Sequence, residues 1–226
     1  MPIKLYLMRH GQTQLNQAGL VQGVTDGWLN TKGIRQVQAT AVDFQQRGLH
    51  FDLAFSSPSQ RARQTAQIVL AAVNPDLPIQ TLTQLSEVNF GNYESQLESD
   101  LAADLLHKLE FKPQKLQIFI QQNGWSKTLE LILDTLSDLD QTAENYQMVI
   151  SRLQVAMQMM IHQASRQSVQ QVLIVAHGLS LLVLLSILDN SVILPQQGLD
   201  NASVSQVDYE DGIYQVVSIN NTRLQQ

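Results

Sequence analysis

The chain has 226 residues, 44% of them hydrophobic and only 15% charged, which supports a well-packed core and argues against disorder. Lysine and arginine number 14 against 20 aspartates and glutamates, a net charge of −6, so the cation excess that nucleic acid or anionic membrane binding needs is missing. The lack of cysteine removes disulfides, thiolate chemistry and zinc–thiolate sites.

Leu5 to Asn16 reads LYLMRHGQTQLN: a short apolar run, as in a buried strand, delivers Arg9, His10 and Gly11 to a sheet edge. No small-residue cleavage site precedes this motif, so a signal peptide is not expected. A glycine-punctuated loop is expected over 14–30. Thr31 then caps a helix whose Ile34, Val37, Ala41 and Phe44 share one face, and Gly48 ends it.

A second strand, 52–55, leads to Ser56, Ser57 and Pro58, and a helix beginning near Ser59 carries Arg61 and Arg63. Ser57 is read as a helix-start residue and Arg63 as a solvated charge. Residues 79–82 form a short third strand. Residues 85–95 have neither helical nor strand period and form an ordered loop with Glu87 among apolar neighbours.

From 96 to about 141 a helical but discontinuous insertion is broken at Pro113 and at Asn123–Gly124. Its stripe of Trp125, Leu129, Ile132, Leu133, Leu136 and Leu139 is read as core. A helix over about 143–163 holds Met148, Met157, Met159 and Met160, read as gap-fillers.

Val172 to Ala176 is a fully buried strand that ends at His177–Gly178, and an apolar helix, 179–188, follows. His177, Gly178, Ser180 and Ser186 interrupt this stretch, which is too short for the roughly 20 apolar residues of a membrane span. The alternating runs 203–209 and 213–219 form a hairpin through Glu210, Asp211 and Gly212. His50, His107 and His162 are read as surface residues.

This order predicts a single α/β domain over 1–226. It is a three-layer α/β/α sandwich with a mostly parallel sheet, a C-terminal antiparallel hairpin and a helical cap insertion at about 96–141. Ligands in such sheets bind beyond the carboxyl ends of the strands, where His10, Ser57 and His177 fall, with Arg61 one helical turn away.

These residues fit a phosphate monoester. Arg9 and Arg61 offer planar donor forks, and His177 adds a donor at a helix N-terminus. His10 attacks phosphorus while one ring nitrogen is unprotonated, and Glu87 protonates the leaving alkoxide. Gly11 and Gly178, each following a histidine, let a substrate approach the backbone.

The pieces RHGQTQLN at 9–16, QG at 22–23, SSPSQRARQTA at 56–66, EVNFGNYE at 87–94, VLIVAHG at 172–178, NASV at 201–204 and NNTRL at 220–224 occur in a familiar order. By them the chain resembles the histidine phosphatase superfamily, which includes cofactor-dependent phosphoglycerate mutases and many phosphatases. The resemblance implies that His10 becomes phosphorylated, that Arg9, Arg61 and His177 form the phosphate pocket, and that Glu87 donates the proton. It also implies that Asn16, Gln22 and Gly23 line the substrate side.

Two departures stand out. Ser95 follows the loop glutamate pair, and Ala143, Glu144 and Asn145 replace the family's frequent GES. The insertion lacks the basic and aromatic motifs of the mutases, and its Phe111, Phe119 and Trp125 point to a partly apolar phosphoester.

The expectation is a phosphomonoester hydrolase working through phosphohistidine on a small phosphorylated metabolite. The alternatives are a mutase-type phosphotransferase and a phospho-ligand or protein-binding module without turnover. No cofactor or metal is expected, nor a nucleic-acid or membrane partner. A second copy of the chain is the protein partner allowed for, and the location expected is cytoplasmic.

Overall fold

The computed structural model describes residues 2–189 and 191–222, so Arg223 and Leu224 of the NNTRL piece lie outside the described residues. Six strands form one sheet: β1 (Ile3–Arg9), β2 (Leu53–Ser56), β3 (Ile79–Thr81), β4 (Gln171–Ala176), β5 (Val204–Glu210) and β6 (Ile213–Asn221). Their order is β3-β2-β4-β1-β5-β6. The first four are mutually parallel, β5 runs antiparallel to β1, and β6 antiparallel to β5. The β5–β6 turn uses Asp211 and Gly212, both at positive φ (51° and 87°), which matches the twist of a two-residue hairpin.

Among the described residues seven α-helices flank the sheet: α1 (Gln14–Ala18), α2 (Thr31–Gln46), α3 (Gln60–Val73), α4 (Glu98–Lys108), α5 (Pro113–Leu139), α6 (Tyr146–Gln167) and α7 (Gly178–Leu188). Alternation along β1 divides the core between the two faces of the sheet. Leu5 and Leu7 pack with buried residues of α5, α6 and α7, including Leu133, Leu153 and Leu184. Tyr6 and Met8 pack with residues of α2 and α3, including Phe44 and Val69. There Tyr6, Phe44 and Phe51 meet edge to face at 5.4–6.1 Å between ring centroids. The architecture is the three-layer sandwich. No helix of the described residues is long and apolar enough to cross a membrane.

Several local expectations are corrected. The loop expected over 14–30 contains α1, closed by a reciprocal cap in which the Thr13 side chain accepts from the Asn16 N–H and the Asn16 side chain accepts from the Thr13 N–H. The cap of α2 is Asn30 and not Thr31, because the Asn30 side chain accepts from the Gly33 N–H. Pro113 opens a helix at its first position, where its missing N–H costs nothing. Gly124, at φ 76° and ψ 175°, makes the break inside α5.

Helix α6 begins at Tyr146 behind the cap residue Asn145. Of its methionines, Met157 and Met160 are buried, whereas Met148 and Met159 are exposed on the outer face. The 96–141 insertion plays two parts: Leu129, Leu133 and Leu136 are core residues, while α4 reaches the functional edge of the sheet.

Candidate active site

Three parallel strands, β1, β4 and β2, end side by side, and the residues just beyond them are His10, His177 and Ser57. Their backbones stay in register past the strand ends, since the Ala176 carbonyl accepts from the His10 N–H and the Val175 carbonyl from the Ser57 N–H. Helix α3, capped by Ser59 through the Ala62 N–H, brings in Arg61 one residue after its start. The loop before α4 brings in Glu87. His10, Arg61, Glu87 and His177 are all buried, with Arg61 and His177 at 0% exposure.

His10 donates from Nδ1 to the carbonyl of Gly11 at 2.8 Å, which leaves Nε2 with the lone pair. Arg61 Nε donates to that Nε2 at 3.3 Å. The His10 and His177 rings stand edge to face, 5.2 Å between centroids. Burial, reinforced by the nearby charge of Arg61, pushes both histidines well below the ordinary imidazole value of 6.5, and Arg9 adds to the effect. His10 is therefore a neutral imidazole with a fixed tautomer, the form a nucleophile needs.

The rest of the Arg61 fork is taken up by one loop. Nη1 donates to the Thr25 carbonyl (2.9 Å) and to Asp26 Oδ1 (3.3 Å), and Nη2 donates to the carbonyls of Gly23 (2.7 Å) and Gln22 (3.5 Å). Burial works against the Arg61 charge, and Glu87, Asp26 and Glu94 offset it.

Glu94 holds the loop itself. Its carboxylate accepts from the N–H groups of Gly23, Val24, Thr25 and Phe90 at 2.9–3.2 Å. Burial raises the Glu94 pKa, but the hydrogen bonds, those of Thr25 foremost, outweigh it and set it below the usual carboxylate value. A Cβ on Gly23 would fall 2.1 Å from the Val88 carbonyl oxygen and 2.3 Å from Glu94, so only glycine allows this approach.

Glu87 lies against the N-terminus of α7. It accepts from the N–H groups of Val88 (2.9 Å), Leu179 (3.0 Å) and Ser180 (2.8 Å). Its loop is bracketed by the ion pair of Arg152 and Glu144, 2.8 Å apart. Arg152 donates to the carbonyls of Gln84 and Ser86, and Glu144 accepts from the Asn89 N–H. The glutamate in the departing AEN stretch thus anchors the loop that carries Glu87.

A cavity of about 260 Å³ opens over this cluster, lined by Arg9, His10, Asn16, Gln22, Glu87 and Gly178 among others. A second, of about 220 Å³, touches Gly23, Arg61, Glu87 and His177 from the other side. Gly11 lines neither: its backbone receives the His10 ring and donates to Thr65, and it packs against Gly33.

Arg9 Nη1 donates to the Leu199 carbonyl. Arg9 Nε, Gln22 Nε2 and His177 Nδ1 are buried with no hydrogen-bond partner among the described residues. Buried polar groups of this kind are rare; Arg9 and Gln22 line the larger cavity and His177 the smaller.

Sequence reasoning missed several contributors. Ser57 does not start a helix: its Oγ lies 2.7 Å from His177 Nε2 and orients that ring. Glu94 and Glu144 fall in stretches that the family resemblance marks, but the resemblance gives them no role, and Asp26 and Arg152 carry no local signature; their contacts join segments distant in sequence. Phe111 and Phe119 pack against each other at 5.8 Å, with Lys115 over Phe111, and the aromatic residue that lines the cavity is Phe90. Arg63, His50, His107 and His162 are exposed. No group of three or more His, Asp or Glu side chains among the described residues is placed to hold a metal ion.

Known proteins bear on this geometry. The model of the histidine phosphatase superfamily, branch 1, matches residues 5–222. An adenosylcobalamin/alpha-ribazole phosphatase of Escherichia coli (strain K12) is 37% identical over 99 residues, 44% of this chain and 47% of that protein. A 2,3-bisphosphoglycerate-dependent phosphoglycerate mutase of Beijerinckia indica subsp. indica is 35% identical over 97 residues, 42% of this chain and 47% of that one. The match thus spans about half the length of these curated relatives. The crystal structure of phosphoglycerate mutase from Bacillus anthracis str. Sterne superposes with a TM-score of 0.86 at 28% identity, covering 98% of this chain and 94% of that one.

Proposed function

The chain belongs to the histidine phosphatase superfamily, and from that premise we propose that it hydrolyses small phosphate monoesters through a phosphohistidine on His10. The observation that carries the reading is the neutral His10, its Nε2 lone pair bare except for Arg61 Nε, beside buried nitrogens without partners on Arg9, Gln22 and His177.

In the first step His10 Nε2 bonds to phosphorus, the ester P–O bond breaks, and the leaving alkoxide takes a proton from Glu87. In the second step water attacks phosphorus, Glu87 takes a water proton, the P–N bond breaks, and phosphate leaves. Arg9, Gln22 and His177 supply donors to the phosphoryl oxygens, whose charge is spread over three positions in the transition state. The Gly11 carbonyl keeps the His10 ring in place from Nδ1, and Arg61 adds positive charge at the point of attack, its Nε giving up the His10 lone pair as that lone pair bonds to phosphorus.

A mutase is the second reading, supported by the 0.86 TM-score with the Bacillus anthracis mutase. It differs only in passing the phosphoryl group to a second hydroxyl instead of water. A binding module without turnover would have no need of an unprotonated, oriented histidine.

The test uses a chromogenic aryl phosphate and a labelled phosphoester. Turnover, indifference to chelators and an alkali-stable, acid-labile label on His10 are expected. His10→Ala should lose both turnover and label; hydrolysis at the wild-type rate by that variant refutes the proposal.

A further inference from the structure

The larger cavity has a distinct chemistry on the side away from phosphorus. Val21, Phe90, Leu101, Leu182 and Leu199 make it apolar, and the charged group among them is Glu98, the first residue of α4. Arg9 is the one cation in the lining, against two carboxylates, Glu87 and Glu98.

Arg9 is already committed by the mechanism to the phosphoryl group, and it feels the fields of Glu87, Glu98 and Asp200. Arg61 is fully bonded to His10 and the 22–26 loop. Along α4 the next acids are Asp100 and Asp104, and the first lysine is Lys108, about 15 Å from Glu98 along the helix axis. A substrate with a second anion on its leaving group would meet no cation there and would face Glu98 across apolar walls. Glu98 is exposed at the mouth of the cavity, so such a charge would meet its repulsion through solvent without gaining a partner.

We infer that Glu98 is a specificity-determining residue. It restricts the enzyme to phosphomonoesters of largely apolar alcohols that carry a cationic or hydrogen-bond-donating group and no second anion. This rests on the hydrolase reading above and narrows its substrate class. A first-turn glutamate also suits the dipole of α4, but that role is satisfied on any face of the helix, whereas Glu98 lines the cavity. At about 260 Å³ the space is below the usual range of roughly 300–1,000 Å³, which fits a leaving group near the size of a substituted phenol.

The experiment measures kcat/KM for phenyl phosphate and its para-aminomethyl and para-carboxymethyl derivatives, by release of inorganic phosphate, with the wild type, Glu98→Gln and Glu98→Lys. The quantity read is the ratio of ammonium to carboxylate substrate. Comparing that ratio between proteins cancels the different leaving-group strengths.

Unit charges about 5 Å apart in a water-like dielectric change binding about fourfold each, so the ratio should fall at least about tenfold from wild type to Glu98→Lys. Glu98→Gln, which keeps shape and helix, should fall between them. A ratio that moves less than twofold in both variants while all three substrates turn over overturns the inference and leaves the hydrolase standing. No turnover of any substrate by the wild type, together with no label on His10, overturns the hydrolase reading and this inference with it.

Discussion

Burying two neutral histidines beside two arginines makes the fold sensitive to mild acid. In the unfolded chain His10 and His177 titrate near 6.5, whereas burial and the field of Arg61 hold both far lower in the folded protein. Below 6.5 the unfolded state therefore binds protons that the folded state refuses. Stability is fully present above the unfolded value and drains as pH falls through it, the reverse of a salt-bridged histidine. Between pH 7.5 and 5.5 the loss approaches about 1.4 kcal/mol for each histidine and about 2.7 kcal/mol for the pair. The bonded carboxylates Glu94, Asp140 and Asp189, all set below ordinary values of 4.5 or 3.8, weaken the fold only at lower pH and do not enter this window. Urea unfolding followed by far-UV circular dichroism at the two pH values measures the difference, with a His10→Gln/His177→Gln double variant as reference. His50, His107 and His162 are common to both proteins and cancel. An equal loss of stability in wild type and double variant would refute the reasoning.

Two further outcomes follow from the same geometry. Glu94→Gln keeps the side chain's shape but gives the four N–H groups of the 22–25 loop and Phe90 one neutral acceptor in place of a carboxylate. Weakening a charge-assisted set of this kind by about 1.5–3 kcal/mol should lower kcat/KM roughly ten- to hundredfold while the fold persists, and wild-type kinetics would show that the loop holds Arg61 without Glu94. Phe44→Ala, in the aromatic cluster on the other face of the sheet, should cost about 3–5 kcal/mol in urea unfolding and leave KM within twofold, and a loss under about 1 kcal/mol would mean that the cluster collapses to fill the space.

Much of the fold was legible because its signals are local. Leu5–Met8 and Val172–Ala176 read as central strands through their unbroken apolar runs, and in the Trp125–Leu139 stripe the period found the core residues Leu129, Leu133 and Leu136, with Trp125 partly buried against them. His10 and His177 were legible for a related reason: a polar residue at the end of a buried strand must emerge at the sheet's carboxyl edge. The helix at 14–18 escaped because a Thr–Asn reciprocal cap is a weaker signal than the usual Ser/Thr–Glu pair. Ser57 was misread because a serine before a helix suits a cap, and only the neighbouring position of β4 shows that it faces His177. Phe111 and Phe119 were assigned to the substrate side on composition, but composition does not tell which face of a helix meets the cavity. The roles of Glu94, though it ends a recognised motif, and of Arg152 escaped because each holds backbone that is remote from it in sequence.

Those remote contacts divide the labour between the two arginines. Charge and planarity alone do not distinguish them. In the structure Arg61 bonds to protein, with one nitrogen on the His10 ring and the others on carbonyls of a loop that Glu94 ties down. A guanidinium held at that many points does not swing, and the Gly11 carbonyl holds the His10 ring from Nδ1, so on the proposed mechanism the ring stays placed when Nε2 gives up its contact with Arg61 to bond phosphorus, and the ordering cost is met in folding rather than at each turnover. Arg9 retains an unpartnered Nε beside the cavity, so on the proposed hydrolase reading it is the guanidinium that follows a phosphoryl group. On that reading the chemistry at phosphorus depends on a rear wall of His10, Arg61 and the 22–26 loop, while the choice of alcohol falls to the residues that face it across the cavity from α4 and α7.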